Sequence, residues 1–156
     1  MVNKGKRWEK CVKDSWEACF PSSLIMRLPD QQSGYKATSK NPCDLIGFTK
    51  SKLFLIECKT VAKGNTISFD RLTQYADLVE YSKYENVKGG FIIWWQEKFE
   101  VAWFPIEEVI KIKAEGNKSL NIKMLKDNKY KIIRIPSEYK RVYPKCDLTK
   151  MVEEER

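Results

Sequence analysis

Two neighbouring segments, residues 43–48 and 53–59, constrain the fold more than any other feature of the sequence. Each has the length of a β-strand and carries apolar residues at both odd and even positions. Because successive side chains of a strand point to opposite faces of its sheet, such strands need protein on both faces. The few residues around Lys50 and Ser51 separate them. We therefore predict a hairpin in the middle of a covered sheet.

The other predicted elements surround this hairpin with helices and further strands. Apolar residues at spacings of three, four and seven predict an amphipathic helix over residues 3–20, which Pro21 ends. A second helix is predicted over residues 69–84, with Ser68 as its cap and Gly89-Gly90 as its end. The remaining predictions are strands over 24–28, 91–95, 99–104 and 130–135 and a helix over 105–113. This order predicts an α/β fold with a mixed central sheet flanked by helices.

The length of 156 residues, with 42% hydrophobic and 12% aromatic residues, is sufficient for one compact domain. We expect a single domain over residues 1–143. Within it, the polar, proline-bounded stretch 29–42 is predicted to be a projecting arm. Residues 144–156 are charged, and we expect a frayed tail there.

The charge and residue usage restrict the classes of function. A net charge of +8 suits a polyanionic partner, although a basic protein without such a partner remains an alternative. The chain has no histidine, which excludes Ser-His and Cys-His nucleophiles and the usual zinc sites. No apolar stretch approaches the length of a membrane span, so we expect a cytoplasmic protein. The five cysteines are odd in number and lack a Cys-x-x-Cys pair, and we expect them to be reduced small hydrophobes.

The predicted hairpin brings acidic residues together. If it is centred between Lys50 and Ser51, the numbers of facing residues sum to 101, and Asp44 lies opposite Glu57. Lys59, two residues beyond Glu57, points to the same face. Two facing carboxylates repel each other, and a divalent cation offsets that repulsion. Oxygen ligands favour Mg²⁺ or Mn²⁺, which can activate a water toward a phosphodiester, and Lys59 would orient that water or stabilise developing charge. The alternative is an ordinary salt-bridge cluster on a surface hairpin.

These residues resemble a nuclease family. Asn41-Pro42-Cys43-Asp44 followed by Glu57-Cys58-Lys59 is similar to the PD-(D/E)xK signature, with Glu9 in the helix before it and Gln74 in the helix after it. A finer resemblance, over residues 3 to about 122, is to RecU-type Holliday junction resolvases of Gram-positive bacteria and their phages. It includes Asn3-Lys4-Gly5-Lys6, Arg27-Leu28-Pro29-Asp30, Thr60, Trp94-Trp95 and Trp103-Phe104-Pro105-Ile106.

The resemblance implies a restriction-endonuclease-like core and a Mg²⁺-dependent endonuclease without a small-molecule cofactor. Such an enzyme is a homodimer that resolves four-way DNA junctions by paired nicks in recombination, repair or phage DNA processing, leaving 5′-phosphates. It would work in the cytoplasm, which is the bacterial host's if a phage encodes it. The stretch 29–42 would be the stalk that enters the junction.

The resemblance also implies roles for individual residues. Asp44, Glu57 and the Cys58 carbonyl would bind the metal, and Lys59 would be the catalytic lysine. Glu9 would reach the metal through water, and Gln74 would position the attacking water or a phosphate. For Glu9 the residues alone leave open a surface ion pair with Lys13, and Gln74 is equally compatible with a solvated position.

Several basic and polar residues are candidate DNA contacts because phosphate binding needs charge without base reading. They are Lys4, Lys6, Arg7, Lys36, Lys40 and Thr60. Three other functions stay open: a nuclease for linear duplex DNA, a basic DNA-binding module without catalysis, and a protein-interaction subunit.

Overall fold

The computed structural model describes residues 4–29 and 41–154. Within them it contains four α-helices: α1 (Lys4–Cys19), α2 (Tyr75–Tyr81), α3 (Ile106–Ala114) and α4 (Thr149–Glu154). Two 3-10 helices span Phe69–Arg71 and Ile122–Lys126. The strands are β1 (Leu24–Arg27), β2 (Leu45–Thr49), β3 (Lys52–Val61), β4 (Thr66–Ser68), β5 (Val87–Trp95), β6 (Glu100–Pro105), β7 (Ser119–Asn121), β8 (Ile133–Arg134), β9 (Ser137–Lys140) and β10 (Tyr143–Cys146).

Six of these strands form one mixed sheet in the order β1-β2-β3-β5-β6-β8. β3 and β5 are parallel, and the other neighbouring pairs are antiparallel. The strands β9 and β10 pair with each other, as do β4 and β7. This confirms the mixed central sheet flanked by helices that was predicted for a restriction-endonuclease-like core.

Separate hydrophobic cores cover the two faces of the sheet. On one face Trp8 and Trp16 of α1 pack with residues of α4 and of the β9–β10 hairpin. On the other face Leu78 of α2 and Val109 of α3 pack against the sheet. Gly47 permits this arrangement, because a Cβ at that position would lie 2.7 Å from the Trp16 ring. The sheet is therefore covered on both sides, as its apolar strands require.

The register of the β2–β3 hairpin agrees with the predicted sum of 101. Leu45 pairs with Ile56, and Phe48 pairs with Leu53. The turn consists of Lys50 and Ser51, whose φ angles are 49° and 62°. Positive φ at both central residues is the geometry that matches the twist of a two-residue hairpin, although neither residue is a glycine.

The predicted helix over residues 69–84 is wrong in its length and in its end. The described chain has a 3-10 helix at Phe69–Arg71 and a separate α2, and Ser68 makes no capping bond with its side chain. Gly89-Gly90 does not end a helix but lies inside β5. A Cβ on Gly90 would meet the ring of Trp103 at 2.7 Å, so this glycine serves close packing within the sheet.

The expected fraying after Pro144 is also wrong for the described residues. The predicted strand over 130–135 is only β8, and β9, β10 and α4 follow it. Leu148, Met151 and Val152 are buried in the core on the α1 side. Their spacing of three and one is that of a helix face, and the neighbouring charges obscured it in the sequence.

Most of the predicted arm lies outside the described residues, which omit 30–40 and with them Lys36 and Lys40. The two ends of this stretch are joined by a hydrogen bond from Nδ2 of Asn41 to the carbonyl of Pro29, 2.6 Å long.

Of the helices in residues 4–29 and 41–154, none is long and apolar enough to cross a membrane. All five cysteines are free, with Cys43 and Cys146 buried.

Candidate active site

The acidic pair lies where β2 begins beside β3. The backbone N–H of Asp44 donates to the carbonyl of Ile56 (3.1 Å), and the N–H of Cys58 donates to Oδ2 of Asp44 (2.9 Å). Asp44 is thus held between two residues that flank Glu57. The Asp44 carboxylate is also close enough to Glu57 to raise the pKa of its carboxyl group. The hairpin therefore brings the two carboxyl groups together.

Glu57 is buried, with a relative exposure of 2%. Its Oε1 is buried and has no hydrogen-bond partner among the described residues. Burial, followed by the neighbouring charge and hydrogen bond of Asp44, raises the pKa of Glu57 to about 9, and Lys59 acts in the opposite direction. A carboxyl group in this environment is costly to ionise unless a cation lies against it.

Lys59 is the cation that the chain itself supplies. Its Nζ lies 3.4 Å from Oε2 of Glu57, and its side chain is 19% exposed. Since Lys59 and Glu57 are two residues apart on β3, the strand alternation places both on the same face. The expected grouping of Asp44, Glu57, Cys58 and Lys59 thus exists in space, with the Lys59 ammonium group beside the carboxyl group of Glu57.

Glu9 lies outside this group. Its partner is Arg27 of β1, with Nε of the arginine 3.3 Å from Oε1 of Glu9. The alternative of a surface pair with Lys13 is wrong, because Lys13 pairs with Glu17 at 2.7 Å and Glu9 is only 9% exposed. In the sequence Arg27 was named only as part of the resolvase resemblance and was given no role of its own.

The Glu9–Arg27 pair and the acidic pair approach β3 from opposite faces. Arg27 pairs in register with Leu45, which belongs to the core on the α1 side. Leu55, which shares a face with Glu57, belongs to the core of α2 and α3. Burial raises the pKa of the Cys58 thiol, and the charges of Asp44, Glu57 and Glu9 raise it further. The charge of Glu9 is therefore close enough to β3 to affect the thiol of Cys58, which lies next to Glu57 on that strand.

Gln74 and Thr60 have less connection with the acidic pair. Gln74 occupies the N-cap position of α2, and its Oε1 accepts a 2.8 Å hydrogen bond from Thr73. Thr60 follows Lys59, and its carbonyl accepts a 3.2 Å hydrogen bond from Arg71. In the described part of the chain no hydrogen bond joins either residue to Asp44 or Glu57, so their predicted roles stay predictions.

The described basic candidates all lie near the start of α1. Lys4, Lys6 and Arg7 are exposed. Lys4 contacts Oε1 of Gln96 at 3.4 Å, and the Arg7 guanidinium lies 5.1 Å from the centre of the Tyr143 ring. Each is exposed and therefore accessible to a polyanion.

The carboxylate oxygens of Asp44 and Glu57 are suitable ligands for Mg²⁺ or Mn²⁺. Across residues 4–29 and 41–154, no three Cys, Asp or Glu side chains cluster closely enough to hold a metal ion. Mg²⁺, however, is usually held by one or two carboxylates and completes its shell with water and substrate phosphate. Asp44 and Glu57 provide two carboxylates, and the unpartnered Oε1 of Glu57 is a ready oxygen ligand.

Comparison with known proteins gives limited information. No family model matches the sequence, and no curated protein matches it. Among solved structures, a Holliday junction resolvase, Hjc of Archaeoglobus fulgidus, resembles the chain with a TM-score of 0.48 and 18% identity. The match covers 67% of this chain and 78% of that chain. A likeness of this degree is too weak to support a functional assignment.

Proposed function

We propose that this protein is a divalent-metal-dependent endodeoxyribonuclease that cuts four-way DNA junctions. The observation that carries the proposal is the buried acidic pair Asp44 and Glu57 with Lys59 beside it. An ordinary surface salt-bridge cluster would be exposed and would give each carboxylate a partner. Here one carboxylate oxygen is buried without a donor, at the position where the motif similarity expects a metal ligand.

In this proposal each residue of the site has a separate chemical role. Asp44 and Glu57, with the Cys58 carbonyl, hold the cation, which when bound polarises the phosphodiester and lowers the pKa of an attacking water. The ammonium group of Lys59 orients that water or stabilises the charge that develops on the phosphorus oxygens. Water attack leaves a 5′-phosphate and a 3′-hydroxyl. Glu9 does not hold the cation itself. Its carboxylate, which is paired with Arg27, acts on β3 through its charge.

Branched DNA is the proposed substrate because of what adjoins the acidic pair. The joined ends of the stretch 29–42 lie next to Asp44, whose carbonyl accepts a hydrogen bond from the N–H of Leu28 (2.9 Å). The residues between those ends are the ones that the resolvase resemblance assigns to the stalk. A net charge of +8 suits the dense negative charge where four duplex arms meet.

We further propose a homodimer, with an apolar area of the sheet as its interface. Leu24 is 55% exposed, Met26 45% and Phe48 47%. The register pairs Leu24 with Phe48 and Phe48 with Leu53, so these side chains share the sheet face that carries α2 and α3. β1 is the edge strand beside them. A second copy related by a two-fold axis would cover the area with the same area of its own.

Cleavage of a synthetic four-way junction and of a matched linear duplex tests the function. With Mg²⁺ we expect symmetric nicks in the junction, and with EDTA we expect none. Asp44→Asn and Lys59→Ala should abolish cleavage while junction binding survives. Glu85→Gln and Lys98→Ala, which alter exposed residues far from Asp44 in the chain, are matched controls that should cut normally.

The outcomes separate the proposal from its rivals. Equal cutting of duplex and junction would replace it with a nuclease for linear DNA. Salt-sensitive binding without cleavage in Mg²⁺ or Mn²⁺ would indicate a non-catalytic binding module. The dimer is tested separately by light scattering, where Phe48→Glu should give a monomer. Phe99→Glu, which alters a 67% exposed residue in another region, should leave the mass unchanged.

A further inference from the structure

A basic groove lies between α1 and the β9–β10 hairpin, and its hairpin wall lies outside residues 3–122, over which the motif similarity extends. Its volume is about 320 Å³. Arg7 and Lys10 line it from α1, and Lys140 and Arg141 line it from the hairpin. The acidic residue in its lining is Asp14, which forms a 2.7 Å ion pair with Lys10. The α1–hairpin groove therefore has an excess of positive charge on both of its walls.

Arg7 of the α1 wall contacts the hairpin wall. Its guanidinium lies 5.1 Å from the centre of the Tyr143 ring. A cation over the face of an aromatic ring is attracted by the negative charge of that face. An arginine guanidinium can bind two phosphate oxygens at once.

The turn of the hairpin retains an arginine where the backbone favours glycine. Lys140 pairs with Tyr143, so Arg141 and Val142 form a two-residue turn. The φ angle of Arg141 is 65°. A side chain in this left-handed region costs conformational energy that glycine would avoid. The turn thus places the charge of Arg141 in the lining of the groove.

We infer that the α1–hairpin groove binds the phosphate backbone of one duplex arm of the substrate, away from the phosphate that is cut. This inference rests on the proposed function. The groove lies on the α1 side of the sheet, where Tyr143 packs against the core, whereas the acidic pair lies on the face that carries α2 and α3. The cations of the groove come from two separate elements. Such an arrangement suits the successive phosphates of a DNA strand better than it suits one small anion. Such contacts hold the arm without reading its bases.

The experiment measures the salt dependence of binding. Anisotropy of a labelled four-way junction is recorded in EDTA between 50 and 200 mM salt for the full chain and for the double variant Lys140→Gln/Arg141→Gln. Loss of two phosphate contacts lowers the slope of log K against log salt by about 1.8. The affinity loss is then about 12-fold larger at 50 mM than at 200 mM salt. Lys123→Gln/Lys126→Gln removes the same charge from an exposed 3-10 helix and should keep the original slope.

A second variant separates charge from folding. Arg141→Gly removes the cation and relieves the positive φ, so the slope should fall by about 0.9 while the thermal midpoint stays or rises. A slope for Lys140→Gln/Arg141→Gln equal to that of the control would overturn the inference, while cleavage by the unaltered chain would still support the proposed function. Failure of the unaltered chain to bind DNA at all would overturn both.

Discussion

Glu57→Gln should make the stability of the protein less dependent on pH. The carboxyl group is buried beside Asp44, and these surroundings raise its pKa from the ordinary 4.5 to about 9. Between these two pH values the folded chain keeps a proton on Glu57 that the unfolded chain has released. The folded state is therefore penalised as the pH rises through this range, and the penalty is absent below about pH 4.5. A glutamine has the same shape and no such proton to lose.

The size of the effect follows from this difference in bound protons. One proton held only by the folded state lowers the free energy of unfolding by about 1.4 kcal/mol for each pH unit. From pH 5 to pH 7 the unaltered chain should lose about 3 kcal/mol through Glu57. The other titrating groups are common to both proteins. The stability of Glu57→Gln relative to the unaltered chain should consequently rise by about 3 kcal/mol over the same interval.

Urea unfolding followed by tryptophan fluorescence is the assay, since all five tryptophans are buried. The titration is done in EDTA at pH 5, 6, 7 and 8, with Glu85→Gln, an exposed site, as the control. Parallel pH profiles for the unaltered chain and Glu57→Gln would refute the reasoning. Saturating Mg²⁺ at pH 8 should stabilise the unaltered chain more than Glu57→Gln, because binding to the folded state adds stability.

Three further experiments test packing and ion pairing in the fold. Gly47→Ala should lower the free energy of unfolding by about 1–3 kcal/mol, because its Cβ would lie 2.7 Å from the Trp16 ring; an unchanged urea midpoint would contradict this close approach. Glu9→Gln and Arg27→Gln should show a coupling energy of about 1 kcal/mol in a double-mutant cycle of unfolding, whereas additive effects would mean that the 3.3 Å pair contributes nothing. Met151→Ala should cost about 2–5 kcal/mol in thermal or urea unfolding, and a neutral result would restore the frayed tail that was first expected.

The central part of the candidate site could be predicted because it depends on local pairing. Once the β2–β3 hairpin is recognised, the period of two along a strand decides that Glu57 and Lys59 share a face. The register of Leu45 with Ile56 then brings Asp44 beside them. Arg27 could not be found in this way, because its contact with Glu9 joins an edge strand to a helix on the α1 side of the sheet.

The errors arose where packing between distant segments overrides local preference. Gly89-Gly90 has the sequence of a helix end, yet both residues lie in β5, where Gly90 leaves room for Trp103. Leu148 and Met151 lie in a charged stretch, yet both are buried. In each case the energy that decides the conformation comes from contacts with residues far away in the chain.

The sequence by itself determined the covered central sheet, the β2–β3 register and the meeting of Asp44, Glu57 and Lys59, because periodicity and short-range pairing are properties of neighbouring residues. Only the tertiary structure decided that Glu9 pairs with Arg27 and that the C-terminal residues complete the core on the α1 side. The basic groove between α1 and the β9–β10 hairpin likewise exists only after folding. The physical reason is that burial and ion pairing depend on which surfaces meet, and that is decided by the whole fold.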